Sequence, residues 1–427
     1  MKTKIRENVS VWIDADFLPE MMRVGSLSND RGQYFFEYDA DWLLSEHRFS
    51  IDPELVLFAK EQPAPQGAFK IFMDSAPDRW GRLLMNKREL VRAQEEANPI
   101  KPLREWDYLL GVQDATRMGA LRLRDNQGSF IEVSKLPTPP ITSLRELQAI
   151  SREIEESDSA SIPQLKIWLA SLLAPGTSLG GARPKANFLD ENGDLWIAKF
   201  PYMNDLVDVG LWELILHDLA KASGIDVPAA HAEIIQGQHH TFSVKRFDRQ
   251  AGKRKMFVSA MTLLSKNDGE DASYLEIADF IRNQGDSVKD DLAQLWRRMV
   301  FNVMTSNRDD HLRNHGFIRN SNGWRLSPAY DMNPNPDKYG HALNLDFDNK
   351  KPSLDILFSN IEWFDLDHSD AVLIAKEVIT AVGRWKEYAK KRQMSNNAIL
   401  SMSPAFDLLE SKMPEAHVKK TSKPVRY

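Results

Sequence analysis

Asn307, Arg308, Asp309, Asp310, His311, Leu312, Arg313 and Asn314 place two acids, two bases, a histidine and two amides in consecutive positions. They follow the apolar series Leu292, Leu295, Trp296, Met299, Val300, Val303 and Met304, whose helical spacing predicts a buried helix ending where the polar run begins. A dense polar cluster at the end of a buried helix is where a scaffold presents chemistry. Asp309 and Asn314 stand at the D-x-x-x-x-N spacing of a phosphotransfer loop, in which the acid takes or orients the acceptor proton and the amide holds a metal ion. Chance also produces that spacing, so phosphate, metal and nucleotide groups must be found elsewhere, in a workable order.

Ser178-Leu179-Gly180-Gly181-Ala182-Arg183-Pro184-Lys185 is a small-residue loop ending in a lysine. Adjacent glycines let backbone N–H groups approach an oxyanion, and a lysine adds a point charge for phosphate. The loop lacks the Walker spacing and Ala186-Asn187-Phe188-Leu189 after it reads as a strand, so a covering loop fits better than a P-loop. A plain Gly-Gly hairpin turn has the same composition. After the turn Asp190-Glu191-Asn192-Gly193-Asp194, the strand Leu195-Trp196-Ile197-Ala198-Lys199-Phe200 carries a lysine near its end, and Glu213 in the predicted helix 210–222 is its natural partner. A snorkelling edge-strand lysine beside an exposed helix acid is the competing reading.

Thr241 to Arg249 reads as one strand leaving this region, with Lys245, Arg246 and Phe247 where a hinge would offer backbone groups to a base. Further on, Gly316-Phe317-Ile318 and Trp324-Arg325-Leu326 read as a hairpin that leads to Asp331, where a second metal-binding acid would return to the site. His311 and His315, spaced to share a helix face, also permit a hydrolase metal site, but that needs an intervening glutamate and a third ligand. His311 is better read as a group that orients the loop, and His315 as structural.

With 42% hydrophobic and 27% charged residues the chain has an ordinary globular composition. The absence of cysteine excludes disulfides, thiolate metal sites and a cysteine nucleophile. A formal charge of -6 provides no global attraction to nucleic acid, although the basic helix Lys386, Lys390, Lys391, Arg392 and the basic run 419–427 could act locally. No apolar run approaches a membrane span and no signal core follows the first residues, so the expectation is a cytoplasmic protein without membrane contact.

The length suits two or three domains. Residues 1–125 read as a mixed α/β region: Val9, Val11 and Ile13 alternate like a strand, 33–38 is a short aromatic strand, and Ser75-Ala76-Pro77-Asp78 opens a helix with an acid in its first turn. The proline-rich stretch around Pro137, Pro139 and Pro140 marks a boundary. Ser143 with Glu146 then suggests a capping box, and a second helix is expected over 162–173. Residues 126–250 hold the glycine loop and its strands, and 251–427 are mostly helical and carry Asp309, Asn314 and Asp331.

The glycine loop, Ile197-Ala198-Lys199-Phe200-Pro201, Val244-Lys245-Arg246-Phe247-Asp248-Arg249, Asp309-Asp310-His311-Leu312-Arg313-Asn314 and Ser327-Pro328-Ala329-Tyr330-Asp331 together resemble the HipA-like serine/threonine kinases, toxin components of bacterial toxin–antitoxin pairs. Arg117-Met118-Gly119-Ala120-Leu121 is similar to that family's first domain. The resemblance implies an α+β, two-lobed protein-kinase-like fold with a small mixed α/β amino-terminal subdomain and a mostly helical C-lobe. It implies ATP and Mg²⁺ as cofactors. Asp309 becomes the catalytic base, Lys199 the phosphate-contacting lysine, and Asn314 and Asp331 the Mg²⁺ ligands. Ser178, Gly180, Gly181, Ala182, Lys185, Lys245, Phe247 and His311 join Lys199, Asn314 and Asp331 around the nucleotide, and Ser178 is the site of inactivating autophosphorylation. The implied partners are a helix-turn-helix antitoxin, operator DNA through that complex, and a protein substrate such as an aminoacyl-tRNA synthetase, glutamyl-tRNA synthetase first. Two other readings share these motifs: a catalytically silent corepressor bridging an antitoxin on DNA, and a lipid or small-molecule kinase.

Overall fold

The computed structural model describes residues 6–132, 137–156, 162–173, 181 and 183–410. Strands β1 (Glu7–Ile13), β2 (Met22–Asp30) and β3 (Gln33–Tyr38) run antiparallel, followed by α1 (Ala40–Leu44), β4 (Gln62–Pro63), α2 (Lys70–Met73), α3 (Arg79–Glu95), α4 (Glu105–Leu110) and β5 (Leu121–Arg124). The sheet order is β4-β3-β2-β1-β5. Alternation decides which face is inward: Val9, Val11 and Ile13 are buried on one side of β1, as the pattern predicts. Asp78 does not sit in the first turn of α3. It is the N-cap, accepting the Gly81 N–H at 2.8 Å, which satisfies a backbone donor the helix leaves open.

The next elements are α5 (Leu144–Glu156), α6 (Ile162–Leu173), β6 (Lys185–Leu189), β7 (Leu195–Lys199), α7 (Val209–Ala222), β8 (Ala230–Glu233) and β9 (Thr241–Lys245). Ser143 belongs to a 3-10 turn that runs into α5, so the expected capping position is absorbed by that turn. Strands β6-β7-β9-β8 form an antiparallel sheet. Its apolar residues Ala186, Phe188, Ala198 and Phe200 join a core with Leu147 and Ile150 of α5, Leu169 and Leu172 of α6, and Trp80, Leu84 and Met85 of α3. Helix α3 thus lies in the first region by sequence and packs with the second.

The strand expected over 241–249 ends at Lys245, because Arg246 and Asp248 turn inward to a buried ion pair. A hairpin of β10 (Arg249–Gln250) and β11 (Lys253–Arg254) follows, then β12 (Met256–Ser259), α8 (Ala260–Leu263), α9 (Tyr274–Gln284), α10 (Val288–Met304), β13 (Gly316–Arg319) and β14 (Trp324–Leu326). The predicted β13–β14 hairpin forms, and β12 adds a third strand beside β13. Helices α11 (Leu354–Ser359), α12 (His368–Val382), α13 (Trp385–Lys391) and α14 (Asn396–Met402) complete a mostly helical lobe. The architecture is α+β and two-lobed. Among the described residues, no helix is long and apolar enough to cross a membrane.

Helix α10 is the axis of the helical lobe. Leu292, Leu295, Trp296, Met299, Val300, Phe301, Val303 and Met304 are wholly buried. At about 1.5–3 kcal/mol per large apolar side chain removed from water, that burial fixes where the helix ends.

Candidate active site

The polar run begins where α10 stops. Thr305 Oγ1 donates to the Phe301 carbonyl at 2.8 Å, Ser306 turns the chain with φ +49°, and Asn307 returns to the helix through two bonds to Asn302, N–H to O at 2.9 Å and Nδ2 to Oδ1 at 3.0 Å. Asp310 anchors the middle of the loop. Buried, it accepts the Tyr274 hydroxyl and His315 Nε2, the latter at 2.8 Å, while Asn302 donates to the Tyr274 oxygen at 2.9 Å. Burial alone would raise the Asp310 carboxyl, but His315, the Tyr274 hydroxyl and His311 together outweigh it and hold the group below the usual carboxylate range. The orienting histidine is therefore His315; the His311 ring is exposed along the cleft.

Asn314 Nδ2 donates to the Asp309 carbonyl at 3.3 Å and closes the loop on itself. The Asp309 side chain stands at the rim, 63% exposed, and pairs with the Lys338 ammonium. An acid at that position can meet an acceptor hydroxyl from solvent.

Lys199 ends β7 and bridges two acids, Glu213 Oε1 of α7 at 2.5 Å and Asp331 Oδ1 at 2.6 Å. Burial would lower its pKa, but Asp331 and then Glu213 outweigh burial and hold the ammonium above the ordinary lysine range. Asp331 responds in kind: burial would raise it, and Lys199 keeps it below the usual carboxylate range. Asp331 adopts φ +59°, a left-handed conformation that a short polar side chain tolerates better than most. Next to it, the Tyr330 ring stacks on Phe247 at 5.4 Å and its hydroxyl donates to the Arg313 carbonyl at 2.7 Å. The hinge, the metal-binding candidate and the Asp309 loop are thereby tied together.

Lys185 opens β6 instead of ending a loop. Its ammonium pairs with Asp78 at 2.7 Å, both side chains almost fully buried, and its carbonyl accepts the Trp80 indole at 3.1 Å. Gly181 has φ +108°, and a Cβ there would lie 3.2 Å from Lys185 Nζ, so the absence of a side chain lets the backbone pass beside that charge. Ser178, Gly180 and Ala182 lie outside the described residues. Arg183 forks onto Asp205 at 2.5 and 2.8 Å. The Lys245 ammonium pairs with Asp194 at 2.5 Å and its backbone N–H is committed to the Ala229 carbonyl at 2.8 Å, so Lys245 has no backbone N–H to offer a base; Phe247 faces the cleft.

One cleft of ≈ 1090 Å³ collects these groups: Gly181, Lys185, Lys199, Lys245 and Phe247 from one side, and Asp309, His311, Asn314 and Asp331 from the other. It can accommodate a nucleotide and part of an acceptor. Among the described residues no cluster of three or more His, Cys, Asp or Glu side chains could hold a metal by itself. Mg²⁺ takes one or two protein ligands and completes its shell with water and phosphate oxygens, and the candidate ligands Asp331 and Asn314 both line the cleft. Sequence reasoning did not find Asp78, Tyr274 or Lys338. Asp78 reads locally as a first-turn helix acid, and nothing near Tyr274 or Lys338 signals a partner dozens of positions away.

Comparison with known proteins gives consistent matches. The family described as HipA-like C-terminal domain matches residues 177–391, and that described as HipA N-terminal domain matches residues 15–124. The serine/threonine-protein kinase toxin HipA of Shewanella oneidensis is 27% identical over 268 residues, 53% of this chain and 59% of that protein. A putative kinase of Haemophilus influenzae is 29% identical over 143 residues, 29% of this chain and 42% of that one. The matches thus span less than two thirds of either relative's length. Among solved structures, a chain of the Shewanella oneidensis toxin–antitoxin complex of HipA, HipB and operator DNA superposes with a TM-score of 0.64 at 17% identity, covering 91% of this chain and 94% of that one. At that identity the likeness is one of fold.

Proposed function

The chain belongs to the HipA family, and from that premise we propose that it is an ATP- and Mg²⁺-dependent serine/threonine protein kinase. The observation that carries the reading is the convergence of Lys199, Glu213, Asp331, Asn314 and Asp309 on one cleft. Phosphoryl transfer asks little covalent chemistry of a protein. It asks for charge on the phosphates to be neutralised and for the acceptor hydroxyl to be held in line.

In this reading Lys199, kept charged and aimed by Glu213, meets the nucleotide phosphates, and Lys185 adds charge beside the glycine loop with Gly180, Gly181 and Ala182. Asp331 and Asn314 would hold Mg²⁺, which when bound would neutralise phosphate charge. Phe247 lies against the base with Lys245 nearby, and His311 borders the phosphate side. Asp309 orients the acceptor hydroxyl and takes its proton as the oxygen bonds to the γ-phosphorus and the bond to the bridging oxygen breaks, its electron pair leaving with ADP.

The relatives supply the biological frame. One is named a kinase toxin, and the structural match comes from a complex with HipB and operator DNA. We infer a growth-inhibiting toxin held by a small DNA-binding antitoxin, reaching operator DNA through that partner and phosphorylating a translation component such as an aminoacyl-tRNA synthetase. Phosphate placed on Ser178 would switch it off.

The test is transfer of the γ-phosphate of ATP into protein in the presence of Mg²⁺, by the purified chain and by Asp309→Asn. After phosphatase treatment of both proteins the wild type should transfer, and the variant should be slower by ~10²–10⁴, the range for a positioned acid–base group. Equal rates in the two proteins would remove Asp309 from the mechanism.

A further inference from the structure

The segment after Asp331 is stitched to the loop that carries Asp309. The Asn333 N–H donates to Asn307 Oδ1 at 3.2 Å, the Asn335 N–H to the Ser306 carbonyl at 2.9 Å, and the Ala342 N–H to the Arg308 carbonyl at 3.0 Å. From the other direction the Arg308 guanidinium donates to the Pro336 carbonyl at 3.3 Å and to the Lys338 carbonyl. These bonds hold the backbone on both sides of Lys338, and its side chain ends on Asp309 Oδ1.

We propose that Lys338 is a positioning residue for Asp309, clamping one carboxylate oxygen so that the other is presented to the acceptor hydroxyl. The proposal rests on the reading of Asp309 as the acceptor-orienting group. Two considerations favour it. First, both side chains are substantially exposed, 46% for Lys338 and 63% for Asp309, and an exposed ion pair contributes little to folding, so stability does not account for this pairing. Second, the cations deeper in the cleft are already engaged, Lys199 by Glu213 and Asp331 and Lys185 by Asp78, which leaves Lys338 as the described ammonium that meets Asp309.

The physical need is orientation. A loose phosphoryl transition state requires little early removal of the hydroxyl proton but a well-placed oxygen, and a rim carboxylate free to rotate would place it poorly. With Oδ1 held, Oδ2 can accept the hydroxyl hydrogen. Lys338 neither gains nor loses a proton: the hydroxyl proton passes to Asp309 as the new oxygen–phosphorus bond forms and ADP departs.

The experiment measures incorporation of labelled γ-phosphate into the full-length chain, with Mg²⁺ and varied ATP, for wild type, Lys338→Met, Lys338→Arg and each Lys338 change combined with Asp309→Asn. The expected result is a rate at saturating ATP roughly tenfold or more lower in Lys338→Met, because a misplaced reacting group costs rate. Half-saturation by ATP should move less than about twofold, Lys338→Arg should recover most of the rate, and Lys338→Met should add little once Asp309 is Asn, as expected for residues acting as a unit. A wild-type rate in Lys338→Met, or a change confined to ATP half-saturation, overturns the proposal while leaving the kinase reading intact. A wild type stripped of phosphate by phosphatase beforehand that still incorporates no label overturns both.

Discussion

The Asp248 carboxylate accepts the backbone N–H of Gly119 at 2.8 Å, across 129 positions of sequence. Gly119 has φ +76°, and a side chain there would press on the Phe257 backbone at 3.3 Å. Fully buried Asp248 also takes Arg246 at 2.7 Å and Arg249 at 2.6 Å, and Arg246 continues to the Thr116 carbonyl at 2.7 Å and Asn187 Oδ1 at 3.0 Å. The segment after β9 is therefore locked to the first region by charge.

Asp248→Ala would strand Arg246 without its carboxylate in a dry site. Breaking a buried pair by removing one partner costs on the order of 3–5 kcal/mol, so the denaturation midpoint at neutral pH should fall steeply. A change near 0.5 kcal/mol would show that the pair is not needed to hold that segment.

Lys199→Met leaves Glu213 and Asp331 facing each other without a cation. We expect a loss of roughly 3 kcal/mol at pH 7 by urea denaturation. The deficit should shrink toward pH 5. With the lysine gone, burial and mutual repulsion raise the two carboxyls, so the folded variant binds protons that the unfolded chain does not, and its relative stability rises as pH falls.

His341 lies beside the Asp309 loop, where burial, opposed by Asp310, pushes its pKa down to about 4. A folded-state value below the unfolded one gives stability that is complete above the ordinary histidine range and declines as pH falls toward 4. The contribution lost between pH 7 and 5 is about 2 kcal/mol. In paired denaturation curves His341→Leu should lose less over that interval than the wild type; parallel losses would assign the acid sensitivity elsewhere.

For the glycine loop the expected outcome is chemical. Protein recovered from expressing cells should carry a phosphate on Ser178 by peptide mass spectrometry, and Ser178→Ala should lose it. Phosphate on another residue, with Ser178 unmodified, would move the switch.

Much of the site was legible in the sequence because its groups come in local pairs or in a fixed order. Asp309 and Asn314 share a loop, and the expected pairing of Lys199 with Glu213 is present at 2.5 Å. The apolar spacing over α10 marked the buried helix that delivers the loop, and the β13–β14 hairpin was readable from its turn. What escaped depends on contacts between distant positions. Lys185 looked like a free loop lysine because Asp78 lies 107 positions away. Strand β9 looked longer than it is because Arg246 and Asp248, which are hydrophilic, are drawn inward by each other. Strand β12 finds its partner β13 only after three intervening helices and their loops, and no local pattern announces that.

The packing of α3 has a consequence for how such a chain can be inherited. Trp80, Leu84 and Met85 cover the apolar side of a sheet encoded a hundred positions later, and Asp78 reaches through to Lys185. A crossover between genes at residue 125 would strip Phe188 and Phe200 of the α3 side of their core and leave an ammonium stranded in an apolar setting. The first region is bound to travel with the lobe it shields, and lineages that lost or exchanged it would have had to rebuild that wall from other sequence.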